Sequence, residues 1–107
     1  MGNVPVACSL QGPALGIRQS ELRRSVLRDA TTVERLPDGY RWRFAHAAYL
    51  FSRLGPLIDG ERQCCRFLHF AVLASEDQGT VTLDITGPTG TLDVLESWIS
   101  NADGRHD

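Results

Sequence analysis

The stretch "FLHFAVLASEDQGTVTLDITG", Phe67 to Gly87, is the part of the sequence that best predicts the fold. Two runs rich in β-branched and aromatic residues, "FLHFAVLA" and "TVTLDITG", flank "SEDQG", whose composition is that of a hairpin loop. We therefore expect two antiparallel strands joined by a turn.

Two earlier segments also have the pattern of strands. "LPDGY", Leu36 to Tyr40, combines proline, aspartate and glycine as a tight turn does. The "YRWRF" that follows alternates aromatic residues with arginine at a period of two, which indicates a half-buried strand. Near the start, "VPVACSL", Val4 to Leu10, predicts a short strand, and Pro5 suits an edge or a strand beginning.

Apolar residues at three- and four-residue steps predict three helices, at about residues 17–30, 47–65 and 91–100. The pair Gly55-Pro56 should kink the second helix or divide it in two. The predicted order is β-α-β-α-β-β-α. We expect an α+β sandwich in which helices cover one face of an antiparallel sheet.

The size and charge of the chain favour a single domain and argue against a basic, nucleic-acid-binding one. Its 107 residues suit a single domain over 1–107, with residues 1–3 and 101–107 expected to fray. The formal net charge is -2, whereas a domain that binds nucleic acid through phosphate neutralisation is normally basic. All eleven basic residues are arginines, and those between Arg18 and Arg35 alternate with acids, which predicts a solvated helix.

The sequence carries no sign of a membrane or secreted protein. No run approaches 18 apolar residues, so we expect no membrane span. The beginning "MGNVPVACSL" lacks the basic and apolar regions of a secretory signal, which favours a reducing cytoplasm and free thiols. The "TGPTG" loop, Thr86 to Gly90, lacks the lysine of a P-loop and the third glycine of a dinucleotide fingerprint. We therefore expect a tight turn there and no organic cofactor.

The segment "GERQCCRF", Gly60 to Phe67, carries the most distinctive chemistry. On the second predicted helix, Glu61 and Cys65 lie one above the other, and Cys64 is offset to one side. This face also carries Leu54, Leu57 and Ile58. A carboxylic acid in an apolar environment holds its proton more firmly, so Glu61 beside two thiols is a candidate proton donor or base.

Cys64, Cys65 and Cys8, the three cysteines of the chain, are candidate ligands for a soft metal ion. Thiolate sulfur is a soft ligand that favours Cu(I) and zinc. The same softness argument extends to Hg(II) and As(III). His69 in "FLHF" could complete the four ligands of a zinc site. Neighbouring cysteines rarely bridge to each other, so redox chemistry would need Cys8 as the second thiol. The plain alternative is that the cysteines fill space in the core.

Four segments of the chain, "ACSL", "LPDGYRWRF", "ERQCCRFLHF" and "ITGPTG", together resemble a family of small, mostly uncharacterised bacterial proteins. Those proteins carry an N-terminal Cys-Ser, a Gly-Tyr turn and a Glu-Arg-x-Cys-Cys-Pro-Phe segment. The resemblance extends from about Cys8 to Gly90 and implies a role in handling mercury and other thiophilic metals. Arg66 stands where the family has proline, which would end the helix after the cysteines.

Three functions remain open at this point. The first is binding of a thiophilic metal ion by cysteine thiolates, for sequestration or transfer. The second is an enzyme that cleaves carbon–metal bonds, with two cysteines holding the metal and Glu61 protonating the leaving carbon, an analogy with organomercurial lyases. The third is a non-catalytic interaction domain, as a homodimer, with structural cysteines.

Overall fold

The computed structural model describes residues 13–45, 49–76 and 79–102, with every side chain in them except those of residues 13–18, 64, 101 and 102. Three helices and four strands lie in these ranges, in the order α-β-β-α-β-β-α. Their bounds are α1 Pro13–Leu27, β1 Thr32–Leu36, β2 Gly39–Phe44, α2 Leu50–Cys64, β3 His69–Ala74, β4 Val81–Thr86 and α3 Thr91–Ala102.

The four described strands form one antiparallel sheet in the order β1-β2-β4-β3. β1 and β2 are joined by the turn at Pro37 and Asp38, and β3 and β4 form the hairpin predicted from their sequence. β2 and β4 join the two hairpins, with Trp42 opposite Leu83. The α+β class and the antiparallel sheet are therefore confirmed.

The sheet has one apolar and one polar face. Trp42, Phe44, Leu83 and Ile85 are buried on the face that the helices cover. The helices contribute further buried side chains to this core, namely Val26, Leu27, Leu50, Leu54, Leu57, Leu95 and Trp98. The opposite face carries ion pairs, such as Arg41 to Asp84 at 2.7 Å, which suit a solvated surface.

β1 is the strand that the sequence did not predict. All but the last of its residues, "TVERL", are exposed, so the segment lacks the alternation of buried and exposed positions that marks a half-buried strand. Its pairing with β2 depends on the turn instead, which brings Val33 opposite Trp42. The predicted strand over Val4–Leu10 lies outside the described residues.

α2 is one helix from Leu50 to Cys64, so of the two predicted effects of Gly55-Pro56, a kink or a division, the division does not occur. Gly55 has no Cβ to clash with the proline ring, which is the usual obstacle to a helical residue before proline. Pro56 cannot donate to the carbonyl of Ser52, but Ser52 is exposed and water can replace that bond. The helix begins after Tyr49, whose φ of 65° is left-handed.

Two further details of the helices differ from the predictions. The three- and four-residue steps of apolar residues in the sequence predict that Phe51 lies on the buried face of α2, but its side chain is 54% exposed. α1 begins and ends earlier than predicted, at Pro13 and Leu27. No helix in the described part of the chain is long and apolar enough to cross a membrane.

Candidate functional site

Among the described residues, Glu61 is the one charged residue that is fully buried, with 0% of its surface exposed. Its carboxylate lies against α1. The Nε of Arg23 donates to Oε2 at 2.9 Å and its Nη2 donates to Oε1 at 3.3 Å. The Nε2 of Gln19 donates to the same Oε2 at 2.8 Å. The prediction that Glu61 lies on a buried face is thus confirmed, and its partners come from another helix.

Arg23 explains why a carboxylate is tolerated on this face. A buried charge is costly unless an opposite charge and hydrogen bonds compensate it, and Arg23 supplies both in a forked arrangement. The guanidinium carbon of Arg23 also lies 4.1 Å from the ring centroid of Trp98 on α3, a cation–π contact. Gln19, Arg23, Glu61 and Trp98 therefore join the three helices, and we call them the helix clamp.

Gly60 lies against the side-chain amide of Gln19 at the helix clamp. A Cβ at this position would collide with the side-chain amide of Gln19. The glycine before Glu61 thus leaves room for the amide that donates to the Glu61 carboxylate. No pattern in the sequence points to Gln19 or Arg23 as partners of Glu61. The prediction that the arginines of this region are all solvated was wrong for Arg23, which is 16% exposed.

Cys65 follows the last residue of α2 and has no exposed surface. Its N–H donates to the carbonyl of Glu61 at 2.6 Å, and its own carbonyl accepts from the N–H of Leu68 at 3.1 Å. Its side chain belongs to the hydrophobic core. The backbone thus holds the cysteine one helical turn after Glu61, as predicted, and directs it into the protein.

Cys65 is disulfide-bonded in the structure. This differs from the expectation that every thiol of the chain is free. A disulfide means that a second cysteine sulfur lies within covalent distance of the Cys65 Sγ. Cys64 is the last residue of α2, but its side chain lies outside the described part of the structure, as does the whole of Cys8. The predicted grouping of Cys8, Cys64 and Cys65 therefore stays a prediction.

His69, the predicted fourth ligand, is the first residue of β3 and is exposed, in contrast to Cys65. It lines an open groove of about 560 Å³ between α2 and β3. The other lining residues are Ile58, Arg62, Arg66, Leu68, Phe70 and Val72. Within the described residues, no three His, Cys, Asp or Glu side chains are placed to hold a metal ion.

The loop before α3 is a tight connection, as predicted. The N–H of Gly87 donates to the carbonyl of Asp38 at 3.0 Å, which ties this loop to the turn between β1 and β2. A Cβ at Gly87 would collide with the hydroxyl of Thr91, and Gly90 has a left-handed φ of 101°. Glycine suits both positions because it lacks a Cβ.

Comparison of the chain with models of protein families, with curated proteins and with solved structures gives no match. The link to mercury-associated proteins thus stays a prediction from the sequence motifs.

Proposed function

We propose that the protein binds a soft, thiophilic metal ion through cysteine thiolates, with Cys65 as the central ligand. Hg(II), As(III), Cu(I) and Zn(II) are the candidate ions, and Cys8 and Cys64 are the candidate partners of Cys65. His69 is a candidate further ligand. The observation that carries the proposal is the disulfide at Cys65.

A disulfide brings two sulfur atoms to one place. When such a bond is reduced, it leaves two thiols close together, which is the arrangement that a soft ion with few ligands requires. Binding then releases the two thiol protons to solvent as two sulfur–metal bonds form, and the oxidation state of the metal does not change. A third thiolate would add affinity for ions that prefer three ligands.

The burial of Cys65 suits a site that retains its ion. Two thiolates and one divalent ion form a neutral unit, which can lie in an apolar environment at much lower cost than a free charge. The helix clamp leaves Glu61 as a positioning residue, because its backbone carbonyl accepts from Cys65 and its carboxylate is held by Arg23. Sequestration is therefore better supported than rapid transfer.

Binding on this account depends on the redox state of the protein. The oxidised form has no Cys65 thiolate to offer, so a reductant such as a small dithiol must first deliver two electrons and two protons to the disulfide. The proposed activity is thus metal binding by the reduced form only.

Native mass spectrometry of the full chain tests this proposal directly. Reduced and oxidised protein are titrated separately with the four ions, alongside Cys8→Ser, Cys64→Ser and Cys65→Ser. We expect the reduced protein to retain an ion, and we expect both the oxidised protein, which keeps one thiol, and Cys65→Ser to bind it much more weakly. The serine variant that also loses binding identifies the second ligand. Failure of the reduced protein to retain any of the four ions would refute the proposal.

The second candidate is an interaction domain in which the cysteines are structural. Two observations favour it, namely the complete burial of Cys65 and the use of Glu61 in the helix clamp. It predicts that the reduced thiols resist a thiol reagent until the protein is denatured, whereas a metal site predicts at least one thiol that reacts in the native protein. The lyase hypothesis has less support, because both oxygens of its proton donor, Glu61, accept from Arg23.

A further inference from the structure

The strand β3 has the features of an interface. It lies at an edge of the sheet, and no described strand pairs with its outer side. Its sequence, "HFAVLA", contains no proline, lysine or acidic residue. Leu73 is 69% exposed and Val72 is 37% exposed. Proteins normally protect such a flat, apolar edge, because its free backbone groups can pair with another chain.

The opposite edge of the sheet is protected in this way. β1 carries Glu34 and Arg35 within its five residues, and Glu34 forms ion pairs with Arg41 and Arg43 of the neighbouring strand. Charged side chains on an edge strand oppose pairing with another chain. Of the two edges of the sheet, β3 is therefore the one that can pair with another chain.

The pairing with β4 shows which backbone groups of β3 are free. The N–H of Ser75 donates to the carbonyl of Thr80 at 2.9 Å, so these two residues form a hydrogen-bonded pair. Hydrogen-bonded and non-hydrogen-bonded pairs alternate along an antiparallel ladder. Residues 69, 71 and 73 therefore bond to β4, and the N–H and C=O groups of Phe70, Val72 and Ala74 point away from the sheet.

The two ends of β3 carry opposite charge. Arg66 precedes the strand and Glu76 follows it, and both are exposed. Neither forms an ion pair within the described residues. If two copies of β3 run antiparallel, the beginning of one strand lies beside the end of the other. Arg66 of each copy then lies near Glu76 of the other.

We infer that β3 is the interface of a homodimer, in which a second copy of the chain adds its own β3 in antiparallel orientation. The outward-facing groups set the register, with Val72 opposite Val72 of the second copy and Phe70 opposite Ala74. The pairing joins the two sheets into one continuous sheet. The two Arg66–Glu76 pairs favour this direction over the parallel one, which would place like charges together. The dimer is independent of metal binding.

Sedimentation velocity of the full-length protein over a range of concentrations tests the dimer through a charge exchange. Arg66→Glu and Glu76→Arg each replace two attractive pairs with two repulsive ones, so we expect each to weaken the dimer about tenfold or more. The double variant Arg66→Glu/Glu76→Arg restores opposite charges and should recover most of that loss. Both sites are exposed, so neither change should affect folding. A wild-type protein that stays monomeric, or a double variant no stronger than the singles, overturns the inference.

Amide hydrogen exchange provides a readout that no folding defect can imitate. The amides of Ala71 and Leu73 should be protected at every concentration, because they bond to β4. The amides of Phe70, Val72 and Ala74 should exchange rapidly in dilute protein and become protected as the concentration rises. Rapid exchange at all concentrations would exclude the β3 pairing. Protection already present in the monomer would mean that another segment of the same chain covers this edge, which also overturns the inference.

Discussion

At the scale of single residues, one buried ion pair connects the three helices. The Glu61 carboxylate accepts from Arg23 and Gln19, and Arg23 also contacts the ring of Trp98. The periodicity of α2 predicts that Glu61 is buried, because the residues around it on that face are apolar. It does not predict the partner, since an arginine of another helix has no fixed sequence separation from it.

The clamp predicts an unequal effect of removing each partner. Arg23→Met leaves the fully buried Glu61 carboxylate without an opposite charge, with Gln19 as its remaining donor, and we expect it to lower the free energy of unfolding by about 3–5 kcal/mol. Glu61→Leu should cost less, because Arg23 is partly exposed and can turn towards water. The double variant Arg23→Met/Glu61→Leu should be more stable than the sum of the two losses predicts, as measured by urea denaturation.

The pair Arg41–Asp84 on the open face is the matched control for that cycle. Its geometry is also forked, with distances of 2.7 and 2.8 Å, but both side chains reach solvent. We expect a much smaller coupling energy than at Arg23–Glu61, because solvent screens the attraction between these two side chains. A coupling at Arg23–Glu61 as small as that of the control would contradict the role assigned to the clamp.

The raised pKa of Tyr40 predicts that the protein loses stability in alkaline solution. Burial, and then the nearby carboxylate of Glu96, raise the pKa of Tyr40 above its ordinary value of 10.0. The folded protein therefore holds this proton more firmly than the unfolded chain, and stability should fall as the pH rises above about 10. In Tyr49→Phe, Tyr40 is the remaining tyrosine, and its phenolate absorbance reports the titration. Adding Glu96→Gln should lower the pKa, and an unchanged titration would be inconsistent with the contact.

At the scale of helices and strands, the sequence predicts those elements that are apolar or whose burial is periodic. Buried residues alternate with partly exposed ones along β4 and from Trp42 to Phe44 in β2, and α3 has an apolar stripe, so all three were predicted. β3 is largely exposed but was predicted from its apolar residues, whereas β1 is both exposed and charged and was missed. α2 was predicted to kink or divide at Gly55-Pro56, and it is not divided, since Gly55 removes part of the steric conflict with the proline ring.

Gly60 leaves room for the Gln19 amide between α1 and α2. Alanine favours a helix over glycine by about 1 kcal/mol, so Gly60→Ala would be stabilising if the site were open. We expect a loss of about 1 kcal/mol instead, because the new methyl group displaces the Gln19 amide and breaks its hydrogen bond to the Glu61 carboxylate. In a Gln19→Ala background the same change should become neutral or stabilising in urea denaturation. Equal costs in both backgrounds would show that the amide is not the obstacle.

At the scale of the whole molecule, the class of fold follows from the pattern of strands and helices, but the candidate site does not. The sequence singles out Cys65 and Glu61 because they share one helix face, and both are buried. It could not predict that Cys65 is disulfide-bonded, because the partner sulfur of a disulfide depends on tertiary structure. The groove beside His69 likewise depends on how α2 packs against β3.

The disulfide should contribute to the stability of the whole fold. If Cys8 is the partner of Cys65, the bond closes a long loop, and reduction should lower the free energy of unfolding by about 2–4 kcal/mol, since such a cross-link restricts the unfolded chain. Thermal unfolding with and without a phosphine reductant measures this difference. Cys65→Ser should unfold at a temperature that no longer depends on the reductant. A wild-type transition that the reductant does not shift would argue against a bond between Cys65 and Cys8.

The most direct test of the proposed function is X-ray absorption at the mercury edge, recorded on the reduced protein with an equimolar amount of Hg(II). We predict a coordination shell made of sulfur, because thiolates outcompete nitrogen and oxygen for this soft ion. In Cys65→Ser that shell should lose sulfur. A shell of nitrogen or oxygen, or a spectrum that Cys65→Ser leaves unchanged, would contradict a thiolate site centred on Cys65.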